Sequence, residues 1–312
     1  MKHHQTVMDM SLAKAGDVPI QPIIRDLQRC GLHQEGPPDC GSSFASTGTA
    51  LDGERIRRGL TTRYLGRHLV LLAETGSTND VALALAGAKV PAGTVVIADH
   101  QTRGRGRAGR NWQATPGSHL FMSAILYPTL AAEYLPALTL GAGVAVADAI
   151  IVCTGLPAVI KWPNDILIGN RKVCGILAES RFSGSQLEHV VVGIGINVNG
   201  DPARMPDTIR STATTLAAEA GRELSREDLL GAIWIRWEHI LDEMSGSGFA
   251  SVLDRWRHHA AILNRRVVIS GPQGSLSGTA VDIDARGALL VVDDQGRRIQ
   301  ICMGDVSLRP VE

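Results

Sequence analysis

The chain has 312 residues, 44% of them hydrophobic, and its 31 Lys and Arg balance its 31 Asp and Glu. That length supplies one large domain and a smaller one, and the zero net charge excludes the broadly basic footprint of a general nucleic-acid binder. Aromatic residues make up 4% of the chain, too few for a platform that stacks single strands. The richest apolar run, 142–152, is too short for a membrane span and contains Asp148, and the N-terminus has no signal-peptide core. The five cysteines are scattered, which fits reduced thiols and a cytoplasmic protein. Cys153, Cys174 and Cys302 lie in apolar runs and are expected to pack as small hydrophobes.

In chain order, residues 1–50 are expected to form a poorly ordered N-terminal extension. One short helix fits 22–30, no helix-turn-helix pattern is present, and the Gly/Ser/Pro-rich run 31–50 reads as a linker. Removing residues 1–48 is expected to leave activity nearly unchanged. A short helix follows over 51–60. HLVLLAE is a predicted strand, GSTND a helix start, and VALALAGAK the helix, closed by Pro91. TVVIADH and HLFMSAILYP read as strands, with the Arg/Gly-rich run 103–112 in the loop between them. A long apolar helix fits 135–155. AVIKWPNDILI, RKVCGILAES and HVVVGIGINVN are predicted strands, the first two joined by a tight turn at Gly169-Asn170. Ser225 and Asp228 form a capping box for a helix over 225–244, and another helix fits 249–260. From Asn264 the pattern changes to short alternating segments with turn signals DARG and DQG, as in a small antiparallel barrel or sandwich. The expected domains are 51–262 and 263–312.

Four segments carry chemistry. RGRGRAGRNW concentrates four arginines and three glycines on one loop. Glycine admits close backbone approach, consecutive amides can cradle an anion, and guanidinium suits phosphate or carboxylate. The alternative is a solvated, mobile loop. KWPND places Lys161, Asn164 and Asp165 in an apolar stretch, where each needs an ionic partner or a wet cleft. Lys172 opens the next apolar run. In GSTND, Ser77 and Thr78 are ordinary helix caps that also mark a place where anions bind. GIGINVN has glycines that allow close approach, without the spacing of a dinucleotide fingerprint.

Taken together, GSTND (76–80), QTRGRGRAGRNW (101–112), KWPND (161–165), RKVCGILAE (171–179), GIGINVN (193–199) and GDVSLRP (304–310) resemble the biotin–protein ligases over roughly residues 51–312. The resemblance implies an α+β fold: a mixed β-sheet catalytic domain with helices on one side, like class II aminoacyl-tRNA synthetases, then a small SH3-like β-barrel. It implies a Mg2+- and ATP-dependent enzyme that converts biotin to biotinyl-5′-AMP and pyrophosphate. The biotinyl group then passes to one lysine of a biotin carboxyl carrier protein or domain of a biotin-dependent carboxylase. Biotin would contact Ser77, Thr78, Asn79, Gln101, Arg105, Gly106, Arg107, Lys172, Gly175 and Gly195. The nucleotide would contact Arg107, Arg110, Trp112, Asn164, Lys172 and Asn197. Lys172, Arg107 and Asp165 would be catalytic; Asn164 and Asp165 would lie beside the reaction centre, where they would orient the acceptor lysine or the metal, and the metal ligands are left unassigned. Gly104 to Arg110 would be disordered until the adenylate forms. Ala108 departs from the family, which often has arginine there, and the missing helix-turn-helix implies no DNA binding. No membrane partner is implied, and the chain could act as a monomer or a homodimer. A lipoate–protein ligase is the nearest rival reading, and a nucleic-acid binder is the rival from another class.

Overall fold

A computed structural model describes residues 7–9, 20–31, 44–47, 51–112, 116–271, 274–302 and 304–308. Three elements precede residue 51: β1 (Val7–Asp9), α1 (Ile20–Gly31) and β2 (Phe44–Thr47). Then come α2 (Gly53–Arg58), β3 (Leu69–Thr75), α3 (Thr78–Gly87), β4 (Val95–Gln101), β5 (Leu120–Leu126) and α4 (Leu135–Thr154). Four strands follow: β6 (Ala158–Lys161), β7 (Asp165–Ile168), β8 (Arg171–Ser183) and β9 (Gln186–Ile196). Short α5 (Asp207–Arg210) and α6 (Leu216–Ala220) lead into α7 (Arg226–Gly246) and α8 (Ala250–His259). Five strands close the described chain: β10 (Arg265–Gly271), β11 (Gly274–Ile283), β12 (Leu289–Asp293), β13 (Arg298–Ile301) and β14 (Asp305–Leu308).

The first nine strands form one mixed sheet in the order β1-β2-β3-β4-β5-β9-β8-β7-β6. β1 to β4 run parallel, and β4 to β6 pair antiparallel along the rest of that order. Side chains alternate across the faces of a strand. Leu69 and Leu71 of β3, with Val192, Ile194 and Ile196 of β9, therefore face the helices α4, α7 and α8. Val70, Leu72, Val96, Ala98, Ile125 and Val191 face the other way, onto Val81, Ala82 and Leu85 of α3. Helices thus cover both faces, not one as expected. The reason is in β3 and β4, which are apolar at consecutive positions and must bury both sides. Helix α4 is apolar enough to cross a membrane by composition alone, but here it is largely buried in the core.

The last five strands form a second, antiparallel sheet in the order β13-β12-β11-β10-β14. The two sheets share a core. Val267, Ile269, Leu289 and Val291 belong to the same buried cluster as α4 and α8, and Trp162 Nε1 donates to Gly287 O at 3.0 Å. Near the first sheet, the buried carboxylate of Glu238 is satisfied by the backbone N–H groups of Arg63, Tyr64 and Leu65 at 2.7–2.9 Å. Cys174 is buried as expected, but Cys302 is exposed. It follows the end of β13 on the side of the exposed Arg298 and Gln300, so the strand alternation itself turns it outward.

The N-terminal expectation also needs correction. β1 and β2 extend the sheet edge beyond β3 in parallel register, and Ile23 and Ile24 of α1 are 1% and 9% exposed against the α3 cluster. The linker expected over 31–50 otherwise lies outside the described residues. Burying two isoleucines contributes about 3–6 kcal/mol. Removing residues 1–48 should accordingly lower the urea midpoint measurably, and Ile23→Asp in the full chain should do the same. Unchanged midpoints in both would show that this packing carries no stability.

Candidate functional site

Beyond the N-terminus of α3 the sheet face is bare. Along β9 the positions that alternate with Val192, Ile194 and Ile196 are Gly193 and Gly195, and they register with Leu177 and Gly175 of β8. No side chain rises from three of these four places. A cavity of about 740 Å3 opens over them, and all fifteen site residues expected from the resemblance line it.

One wall is the start of α3. Ser77 is the N-cap in extended backbone, yet its side chain makes no capping hydrogen bond. The side chain of Gln101, at the end of β4, does that work: its Oε1 accepts from Thr78 N at 2.8 Å and Thr78 Oγ1 at 3.1 Å. This fixes the Gln101 amide, with Nε2 left as its donor end. Asn79 is held more completely. Its Nδ2 donates to Glu179 Oε2 at 2.6 Å. A carboxylate can only accept, so Asn79 Oδ1 must point the other way, where Ser123 Oγ donates to it at 2.6 Å. Both ends of the Asn79 amide are thus committed within the protein. Ser123 and Glu179 were not singled out from the sequence. The signals were present: a lone hydroxyl in the apolar run FMSAIL and a carboxylate ending CGILAE.

The glycines are required by this packing. A Cβ on Gly193 would lie 2.1 Å from Asn79 Oδ1. A Cβ on Gly175 would lie 2.6 Å from Trp112 Cζ3, and one on Gly195 3.0 Å from Trp112 Cε2. Trp112 therefore lies flat on the glycine floor, with Lys172 Nζ 5.2 Å from its ring centroid.

The Arg/Gly segment forms the opposite wall. It is folded, contrary to the expected disorder of Gly104 to Arg110. Arg103 N donates to Gly76 O at 2.8 Å, Gly106 N to Arg110 O at 2.6 Å, and Trp112 N to Gly104 O at 2.8 Å. Ala108 and Gly109 turn the chain through left-handed backbone, at φ 53° and 72°. Carboxylates from three elements hold the segment down. Arg105 pairs with Asp80 at 2.7 Å and Glu179 at 2.9 Å. Arg110 pairs with Asp305 of β14 at 3.0 Å. Arg107 reaches Asn164 Oδ1 at 3.4 Å, Gly304 O at 3.3 Å and Asp305 at 3.7 Å. Burial lowers the Arg107 pKa from its ordinary value, with Asp305 opposing that shift. The second sheet thus contributes directly to closing the cavity.

The far end is built by the β6–β7–β8 hairpins. Lys172 Nζ pairs with Asp165 Oδ1 at 2.5 Å, and Asn164 Nδ2 donates to Ile176 O at 2.7 Å. Lys172 is held by its backbone, which exchanges hydrogen bonds with Thr212 O and Thr214 N at 2.8 and 3.0 Å. Asn197 ties the same loop down, with its Nδ2 donating to Thr214 O at 3.0 Å. Ile209 of α5 and Thr212 and Ala213 of that loop line the cavity, and nothing in their sequence marked them. Beneath Lys172, burial pushes the Cys174 thiol far up, which keeps it an inert packing group.

Residues 72–197 match the biotin/lipoate A/B protein ligase family, and residues 262–309 match the biotin protein ligase C terminal domain. The chain is 34% identical to the bifunctional ligase/repressor BirA of Bacillus subtilis, over 91% of this chain and 87% of that protein. It is 32% identical to the biotin–[acetyl-CoA-carboxylase] ligase of Mycobacterium tuberculosis, over 82% of this chain and 98% of that one. Among solved structures it resembles the biotin protein ligase from Aquifex aeolicus in complex with biotin and ATP. The TM-score is 0.67 at 31% identity, covering 78% of this chain and 99% of the other.

Gly193→Ala should cost about 2 kcal/mol in urea unfolding, because Asn79 must leave its partners. Gly231→Ala, in α7 with nothing within 4 Å of the added Cβ, should instead stabilise by about 0.5–1 kcal/mol. Equal small effects at both positions would contradict the assigned packing of Asn79.

Proposed function

This chain belongs to the biotin/lipoate A/B protein ligase family, and from that premise we propose that it activates biotin with ATP and attaches it to a lysine of a biotin carboxyl carrier domain. The observation that carries the reading is the pairing of a glycine floor, met only by Asn79 and the Trp112 ring, with a set of fixed donors and cations around one cavity. A flat bicyclic ligand needs the first, and joining a carboxylate to a phosphate needs the second.

In this account the ureido ring of biotin lies at the α3 end. The Gln101 Nε2 donor and the Ser77 and Thr78 groups read its polar edge. Asn79 acts by holding Gly193, Ser123 and Glu179 together. The valeryl carboxylate points along Trp112 toward Lys172. The Lys172 ammonium binds this carboxylate and then the α-phosphate, so the same charge serves both partial reactions. Arg105, Gly106 and Arg107 close over the acyl-adenylate and exclude water. Arg110, Asn164 and Asn197 bound the nucleotide end. Asp165 holds the Lys172 ammonium in place until a substrate oxygen competes for it.

Mg2+ is part of the proposal in one respect only. The described residues contain no group of three His, Cys, Asp or Glu side chains suited to a metal, and Asp165 is taken by Lys172. The ion would therefore arrive on the nucleotide phosphates, which is its usual mode of binding. Residues 1–50 carry no helix-turn-helix pattern, and no operator-binding role is proposed for them.

The unaltered protein should catalyse biotin-dependent exchange of pyrophosphate into ATP, and Lys172→Ala should lower that rate at least about a hundredfold while leaving the urea midpoint near its original value. Absence of exchange by the folded, unaltered protein would overturn the ligase reading. Normal exchange in Lys172→Ala would remove this lysine from the mechanism.

A further inference from the structure

Glu179 stands just outside the main cavity, beyond Leu177 on the face of β8 that carries Gly175. Here β8 has run past its pairing with β7 and pairs with β9. The Glu179 Oε2 atom accepts two hydrogen bonds, from Asn79 Nδ2 at 2.6 Å and from the Arg105 guanidinium at 2.9 Å. The first donor belongs to the opening turn of α3, which forms one wall of the cavity. The second belongs to the Arg/Gly segment, which forms the opposite wall. One carboxylate oxygen therefore ties the two walls together. Arg105 is also met by Asp80, the residue after Asn79, at 2.7 Å. A second cavity of about 430 Å3 lies against the same segment and is bounded by Leu177 and Glu179. Residues 105–107 and 110–111 line both cavities, so these carboxylates, rather than packed core, hold the segment at Arg105. The two donors make different demands. The Asn79 amide needs an acceptor, which a glutamine would also supply, whereas Arg105 is held by charge.

We propose that Glu179 is a positioning residue that couples closure of the Arg/Gly segment to the α3 wall, and so sets how long the acyl-adenylate is kept between the two partial reactions. This rests on the ligase reading above. With the segment closed, water is excluded from the intermediate. With it open, the adenylate escapes or is hydrolysed. In hydrolysis a water oxygen bonds to the acyl carbon, and the bond from that carbon to the phosphate oxygen breaks. AMP leaves with the electron pair, and biotin is regenerated with release of a proton. The Arg105 and Glu179 side chains are 40% and 29% exposed, so salt screens their attraction and shortens the retention.

The test uses the full chain loaded with biotinyl-5′-AMP, freed of excess ligand and timed for loss of bound adenylate without acceptor. Glu179→Gln should speed that loss about fivefold, while the KM for biotin in pyrophosphate exchange rises less than twofold. Asp80→Asn, which loosens Arg105 without touching Asn79, should speed the loss in the same direction. Added NaCl should speed it in the unaltered protein and far less in Glu179→Gln. Glu179→Gln combined with Arg105→Gln should lose adenylate no faster than Arg105→Gln alone, because both act through one contact. Unchanged retention in Glu179→Gln and Asp80→Asn would overturn the coupling and leave the ligase reading standing. Additive losses in the double variant would also overturn it. So would a biotin KM that rises as much as the adenylate loss, which would confine Glu179 to the α3 wall. No exchange by the unaltered protein would overturn the ligase reading itself and the coupling with it.

Discussion

A sheet face in a folded protein normally carries side chains of its own, and the stretch of β8 and β9 at Gly175, Gly193 and Gly195 is where this one carries none, leaving room for Asn79 and Trp112 to lie directly on the backbone. Everything else at the site is arranged around that bare patch. Helix α3 stops short of it, so its first turn and Asn79 overlook the floor instead of burying it. Trp112 lies on Gly175 at a distance that no Cβ would allow, and on Gly195 at one that a Cβ would crowd. The opposite face of the same strands carries Ile194, Ile196, Cys174 and Ile176 into the largest core cluster. One alternation thus anchors the strands on one side and clears them on the other.

Charge is organised with the same economy. The chain is neutral overall, and its most basic segment is largely compensated in place, because Asp80, Glu179 and Asp305 meet three of its four arginines. These pairs are partly exposed, so each contributes at most about 1 kcal/mol. Together they hold the segment closed without making opening costly. That reconciles a folded Arg103–Trp112 segment with the proposed reaction, in which the site admits one substrate, encloses an intermediate and releases a product. The partners come from α3, β8 and β14, which explains why a second sheet belongs to the enzyme: it completes the closure from outside the first sheet.

Much of this was legible in the sequence, and the reasons for success and failure differ by residue. The strands at HLVLLAE and HVVVGIGINVN, the helix over 135–154 and the turn at Gly169-Asn170 follow from local pattern and turn chemistry. The lining residues follow from motif resemblance, since Lys172, Arg107 and Gln101 carry chemistry by type. Gly193 was missed because one glycine in an apolar strand carries little meaning until the facing Asn79 is known. Ser123 and Glu179 were missed because their importance lies wholly in what they hold. The edge strands β1 and β2 are short and pair with residues far along the chain, which local periodicity does not report. Covering of both sheet faces was implied by the continuous apolar run of β3, but the family expectation of one-sided helices displaced it.

The central claim is that one cavity joins a carboxylate to a nucleotide and delivers the acyl group to a protein lysine. The most direct measurement is intact-mass spectrometry of a biotin carboxyl carrier domain incubated with this protein, biotin and ATP. The account predicts the mass gain of a single biotinyl amide, on one lysine, only when ATP and biotin are both present. A carrier domain of unchanged mass, with protein that is folded and binds biotin, would contradict it.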